Sequence, residues 1–150
     1  MKSKKSAAEI TLAAIENAHA IALIEKEFIE CPWSENQIAE SILSPGYTFF
    51  AALVGGELVG YIGVEWCFDE GNICNVAVEE KARRRGIGAM LVEAVTNEAK
   101  SRGAAKLFLE VNENNAAAIA LYEKQGFSVL YRRPNYYGSA AALVMTKQLN

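Results

Sequence analysis

Apolar and polar positions along the chain recur with two periods, and the change from one to the other marks out its elements. Ala8 to Ala13 has the character of a short strand, whereas Glu16 to Phe28 carries Ala20, Ile21, Ile24 and Phe28 at helical spacing on one side. Ser34 is placed to cap a second helix, with Gln37 three residues on to complete a capping box. Ile38, Ile42 and Leu43 are expected to face the core, and Ser44-Pro45-Gly46 stops the helix. Tyr47 to Val54 and Glu57 to Phe68 predict two strands. Gly55-Gly56 between them suits the positive φ angles of a tight hairpin. Asp69-Glu70-Gly71 turns the chain into a strand over Asn72 to Val78. A helix follows over Ala89 to Ala99, with Leu91, Val92 and Val95 on its apolar side and a stop at Ser101-Arg102-Gly103. Lys106 to Val111 predicts a further strand, Asn115 to Lys124 a helix closed by Gly126, and about Phe127 to Arg132 and Ala140 to Lys147 the last two strands. The order β-α-α-β-β-β-α-β-α-β-β implies an α/β fold, a sheet with helices on both faces.

Composition narrows the class. With 150 residues, 51% of them apolar and 22% charged, residues 1–150 suit a single domain with a sizeable core. The net charge of −3 gives no general attraction to nucleic acid. Lys2, Lys4 and Lys5 resemble the start of a secretory signal, but Glu9 and Glu16 interrupt the apolar stretch that should follow. No run approaches the roughly 18 apolar residues needed to cross a bilayer. The expectation is a cytoplasmic protein that engages neither membrane nor nucleic acid. Cys31, Cys67 and Cys74 are odd in number and lack a C-x-x-C pair, against a disulfide frame or structural zinc, and read as small buried hydrophobes. His19 is the sole histidine, so neither a Ser-His-Asp triad nor a multi-histidine metal site has its parts.

Arg83-Arg84-Arg85-Gly86-Ile87-Gly88-Ala89 joins a strand to an apolar helix through positive charges and glycines. A helix N-terminus leaves backbone N–H groups without partners and carries partial positive charge, so glycines there let a diphosphate approach the main chain. The P-loop string with its Gly-Lys-Ser/Thr is missing. The dinucleotide fingerprint fails because Leu91 stands where its third glycine or alanine belongs. Arg83, Gly86 and Gly88 instead satisfy Arg/Gln-x-x-Gly-x-Gly/Ala. The string alone also fits a capped surface helix behind a solvated basic run.

Two later features carry chemistry. Leu107-Phe108-Leu109-Glu110-Val111 is an apolar strand with one carboxylate, which is costly there unless paired or near water. Downstream, Asn115, Ala118 or Ile119, and Tyr122 share one helical stripe, a polar amide and a phenol flanking small residues along which a narrow ligand fits. Each also has a plain structural reading: a glutamate emerging at a strand end, and a tyrosine anchoring the core with its hydroxyl at the rim.

The basic glycine loop, the segment from Leu109 to Phe127 and the order of elements together resemble the GNAT family of N-acetyltransferases over nearly the whole chain. The Leu109 to Phe127 string, Cys31-Pro32-Trp33-Ser34 and Arg132-Arg133-Pro134-Asn135-Tyr136-Tyr137 are similar to the RimI-type ribosomal-protein-alanine subfamily. The resemblance implies a mixed sheet of about seven strands and acetyl-CoA as cosubstrate. It assigns Arg84, Arg85, Gly86, Ile87, Gly88 and Ala89 to the diphosphate cradle, with Arg83 at its entrance. Val76, Ala77 and Val78 would make main-chain contacts to the pantetheine arm and thioester, and Asn115 would contact the coenzyme. Glu110 would be the general base, acting through a water, and Tyr122 the general acid for the departing thiolate. Trp33, Ser34, Tyr136 and Tyr137 would line the acceptor groove, each equally readable as a core or surface aromatic or polar residue. The implied partner is the N-terminal peptide of a ribosomal protein, with the enzyme a monomer or weak dimer and no metal required.

The chemistry favours an N-terminal amine. An α-amino group has a pKa of about 7.7 to 8.0, whereas a lysine amine sits near 10.4, and a phenol near 10 can protonate a thiolate whose acid is about 8.5. Cys74, in a strand with no histidine available, is expected to pack rather than relay an acetyl group. Acetylation of another amine (lysine, polyamine or antibiotic) and a non-catalytic acetyl-CoA sensor remain alternatives. The subfamily usually has an acidic residue just before the last strand, where this chain has Ala140-Ala141-Ala142, so that loop's specificity is left open.

Overall fold

In the computed structural model, which describes residues 7–29, 31–138 and 140–149, seven strands form one sheet in the order β1-β2-β3-β4-β5-β7-β6. They are β1 (Ala8–Leu12), β2 (Tyr47–Val54), β3 (Glu57–Cys67), β4 (Glu70–Val78), β5 (Lys106–Asn112), β6 (Ser128–Tyr137) and β7 (Ala140–Gln148). The helices are α1 (Ala18–Phe28), α2 (Glu35–Leu43), α3 (Ile87–Ser101) and α4 (Ala116–Lys124). Only β4 and β5 pair in parallel; every other neighbouring pair is antiparallel. A parallel pair requires a crossover, and α3 supplies it.

Strand alternation divides the core in two. Ala51 and Tyr61 face α1 and α2 together with Ile21, Ile24, Ile38 and Phe49, while Ala52, Ile62 and Val64 face α3 with Leu91, Val92, Val95, Leu107 and Met145. The α2 capping box forms as its sequence predicts: the Gln37 N–H donates to Ser34 Oγ at 3.1 Å, and Gln37 Oε1 accepts from the Ser34 N–H at 2.8 Å. Gly55 and Gly56, at φ 59° and 83°, make the β2–β3 hairpin.

Several expectations require correction. Leu43 is 69% exposed, because Ile38 and Ile42 occupy the inward stripe of α2 and the following residue falls off it. Cys31 and Cys67 are exposed and Cys74 is half-buried, where the sequence predicts all three to be buried. β6 continues past Arg132 to Tyr137 despite Pro134, which an edge strand tolerates, and Asn135 adopts φ 58° where the register shifts. Ala140–Ala142 open β7, in keeping with the strand expected over Ala140 to Lys147. The carboxylate that ties this region together comes from Glu113, after β5. It takes a bidentate pair from Arg132 at 2.9 and 3.1 Å and the Ala141 N–H at 2.8 Å. Those donors hold the Glu113 carboxyl below its ordinary range.

One irregularity shapes the functional face. In the β3–β4 register Gly63 pairs with Asn75 and Val64 with Ile73, so Cys74 is an extra residue, a bulge in β4. Pairing between β4 and β5 ends at the same point, with Ile73 opposite Leu109. Beyond it the two strands diverge, and the main chain of Val76 to Val78 is left without a partner strand on that side.

Candidate active site

The divergence of β4 from β5 opens a cleft of about 570 Å³, walled by Val76–Val78, the residues before α3, the start of α3 and one side of α4. Arg83, Arg84, Gly86, Ile87, Gly88, Ala89, Asn115, Ala118 and Tyr122 all line it. Gly86 is the N-cap of α3 at φ 75°, a left-handed conformation natural to glycine, and Arg84 also has positive φ, at 64°. The loop therefore turns sharply, and the first N–H groups of α3, which have no intrahelical acceptor, belong to residues on the cleft wall. Gly88 is needed for a different reason. A Cβ there would stand 3.1 Å from Leu121 Cδ2, so its small size lets α3 and α4 close on one another.

The arginines differ in role. Arg83 donates through Nε to the Val78 carbonyl at 3.0 Å and lays its guanidinium over the Phe28 ring, 4.8 Å from the centroid. It thereby fastens the loop to β4 and α1. Arg84 lines the cleft, and Arg85 is half-buried away from its wall. Asn115 caps α4, its side-chain oxygen accepting the Ala118 N–H at 3.1 Å. Tyr122 is 5% exposed, its ring edge-on to Phe127, so its position at the cleft is set by core packing.

Glu110 does not line this cleft. It lines an adjoining cavity of about 410 Å³ with Cys31, Asn72, Cys74, Asn75 and Tyr136; Ile29 is common to both spaces. Arg133 Nη1 donates to Glu110 Oε1 at 2.6 Å, and the same guanidinium sits 4.8 Å from the Tyr136 ring centroid. The Glu110 charge, and a hydrogen bond to that carboxylate, hold the Tyr136 phenol above its ordinary range. Burial pushes the Cys74 thiol up to about 12, so it stays protonated at neutral pH and is a poor nucleophile.

The remaining sequence-predicted residues sit apart. Trp33 packs against Tyr47 and Phe49, with ring centroids at 6.0 and 6.4 Å, and the Ser34 hydroxyl is engaged in capping α2. Neither lines the two cavities. Tyr137 ends β6, and its side chain lies outside the described residues.

Three features escaped sequence reasoning. Arg133 pairs with Glu110 across strands, 23 residues apart in the chain. Glu25 lies fully buried on the apolar side of α1, where it accepts from the Tyr61 hydroxyl at 2.7 Å, the Trp33 N–H at 3.3 Å and the Asn75 side-chain amide. Burial raises its carboxyl above the ordinary range despite those donors. Asn75 itself carried a usable signal, the one that singled out Glu110: a polar side chain inside an apolar strand.

Residues 12–127 match the Acetyltransferase (GNAT) family. The chain is 36% identical over 126 residues to the [Ribosomal protein bS18]-alanine N-acetyltransferase of Escherichia coli K12, covering 81% of this chain and 84% of the relative. The crystal structure of the ribosomal-protein-alanine N-acetyltransferase from Escherichia coli superposes with a TM-score of 0.87 at 32% identity, over 96% of this chain and 95% of that one. The fold is also shared with yncA of Salmonella typhimurium, solved with its cofactor acetyl-CoA, at a TM-score of 0.86 and 20% identity over 97% and 95% of the two chains. The matched span takes in β4, the basic glycine loop, both cleft helices and the strand bearing Glu110. This chain is an acyltransferase and belongs to the acetyltransferase (GNAT) family.

Proposed function

We propose that the protein acetylates the N-terminal α-amine of a protein substrate, with the N-terminal alanine of a small-subunit ribosomal protein as its acceptor and acetyl-CoA as donor. The observation that carries this reading is the pair of adjoining spaces: a cleft lined by helix N-terminal backbone and a cavity lined by an anchored carboxylate. The residues present fit the coenzyme. Arg84 and the free N–H groups opening α3 offer positive charge and donors to a diphosphate, and Val76 to Val78 expose unpaired main chain to a pantetheine arm. Arg85 completes the positive field, and Arg83 holds the loop to Val78 at the entrance. Asn115 borders the same cleft from α4.

Acetyl-CoA supplies the acetyl group as a thioester. Glu110 accepts the proton that the α-amine must lose, and its carboxylate is aimed by Arg133. A backbone N–H among Val76 to Val78 polarises the acetyl carbonyl, and Tyr122 gives a proton to the sulfur as the C–S bond breaks. Transfer is direct, because the neutral Cys74 thiol offers no covalent relay. Tyr136, stacked under Arg133 and lining the same cavity as Glu110, borders the path of the acceptor peptide. The similarity to the E. coli bS18-alanine enzyme supports alanine as the first residue.

A panel of peptides with free α-amines and internal lysines, incubated with acetyl-CoA and fragmented by mass spectrometry, tests the assignment. Acetyl on the α-nitrogen of alanine-initiated peptides is the expected result. Acetyl only on lysine side chains or small amines overturns it.

A further inference from the structure

Inside the apolar strand β4, Asn75 spends its amide N–H on Glu25, a carboxylate fully buried beneath it. Both oxygens of that carboxylate receive N–H or O–H donors, from Tyr61, Trp33 and Asn75. The contact fixes which way the Asn75 amide faces: nitrogen toward the carboxylate, oxygen away from it. Among the described residues, every fully buried side-chain nitrogen or oxygen has a partner, and Asn75 Oδ1 accepts from no protein group. That oxygen therefore reaches open space. Asn75 lines the same cavity as Glu110, Tyr136 and Cys74, at the bulge where β4 leaves β5.

We infer that Asn75 binds the acceptor amine through its side-chain oxygen, and that Glu25 is the positioning residue that turns the amide for this task. An oxygen held against rotation by a buried carboxylate is a ready acceptor for an N–H of the incoming α-amine. The amine would then stand between Asn75 on β4 and Glu110 on β5, with Glu110 left to take its proton. The Trp33 N–H on Glu25 ties the start of α2 into the same arrangement, so one buried carboxylate links the α1–α2 connection to the amine-binding oxygen. This inference rests on the α-amine reading above and adds a specific contact to it.

The test compares an alanine-initiated peptide with its desamino analogue, in which hydrogen replaces the α-amino group, as inhibitors of the wild-type enzyme and of Asn75→Ala. The wild type should bind the amine-bearing peptide more tightly than the analogue by roughly 10- to 100-fold, the range for a hydrogen bond to a charged group. In Asn75→Ala that ratio should fall by about tenfold, the remainder being the contact to Glu110, with acetyl-CoA affinity within about twofold of wild type. A merely structural asparagine would weaken both peptides alike, and an unchanged ratio overturns the inference. Asn75→Ser, which keeps a small donor toward Glu25, gives the same comparison if the alanine variant folds poorly. A wild-type enzyme that acetylates no α-amine would instead defeat the functional reading itself.

Discussion

Gly86 and Gly103 bracket α3 and offer a matched pair of perturbations. Their φ angles are 75° and 76°, and a Cβ added at either meets no atom within 4 Å. Alanine at each position therefore carries the same backbone strain and no clash, a cost of about 1 kcal/mol. Unfolding entropy of about 2.1 cal/mol/K per residue gives about 0.3 kcal/mol/K for a chain of this length, so each variant should melt about 3 °C below wild type. Function should separate them. Gly86 lines the cleft at the N-terminus of α3, so a methyl group there stands against a diphosphate approaching the helix; Gly103 lies at the other end, outside the cleft. Loss of one charge-assisted hydrogen bond corresponds to roughly a 10- to 100-fold weaker Kd for acetyl-CoA in Gly86→Ala, with Gly103→Ala within twofold of wild type. Differential scanning fluorimetry and isothermal titration calorimetry read the two quantities. Equal Kd values for the two variants, at equal loss of melting temperature, would refute the diphosphate role of this loop.

Glu110→Gln should lower kcat by about 100- to 10,000-fold while coenzyme affinity is kept, because the carboxylate lies outside the coenzyme cleft; unchanged turnover in a stopped-time acetylation assay would remove it as the base. Cys74→Ala should retain turnover within about threefold, since the buried neutral thiol carries no acetyl group; a trapped acetylated cysteine in the wild type would contradict this. Glu25 gives a pH signature. Burial raises its folded pKa above the ordinary 4.5, so its proton-linked contribution to stability is complete below that value and is lost as pH rises through the folded one. The melting temperature of wild type relative to Glu25→Gln should therefore fall as pH climbs above 4.5 and then level off. A difference independent of pH would show that the carboxyl does not change protonation on folding.

Local signals carried most of the fold into the sequence. Gly55-Gly56 and the Ser34–Gln37 box act within a few residues, and both form as the residue types require. Gly86 and Gly88 marked the cleft because a left-handed cap and a close helix approach each restrict the choice of residue. What stayed hidden depends on distant partners. Glu25 can be held as a carboxylate among apolar neighbours only because Tyr61 and Asn75, 36 and 50 positions away, supply donors that no local pattern announces. The opening of β4 from β5 arises from one unpaired residue, Cys74, whose bulge no periodicity announces. The tether that Glu113 supplies was hidden too, since the Arg132 fork and the Ala141 N–H converge on it only once β6 and β7 are paired. Among the described residues no helix is long and apolar enough to cross a membrane.

The coenzyme cleft and the amine cavity share Ile29 in their walls, so a single molecule can span them. Coenzyme A joined covalently to the α-nitrogen of an alanine-initiated peptide occupies both at once, and its Kd tests that junction. It should bind at least about 100-fold more tightly than coenzyme A alone, while a conjugate through a lysine Nε should gain little. Equal affinity of the α-linked conjugate and free coenzyme A would contradict the account.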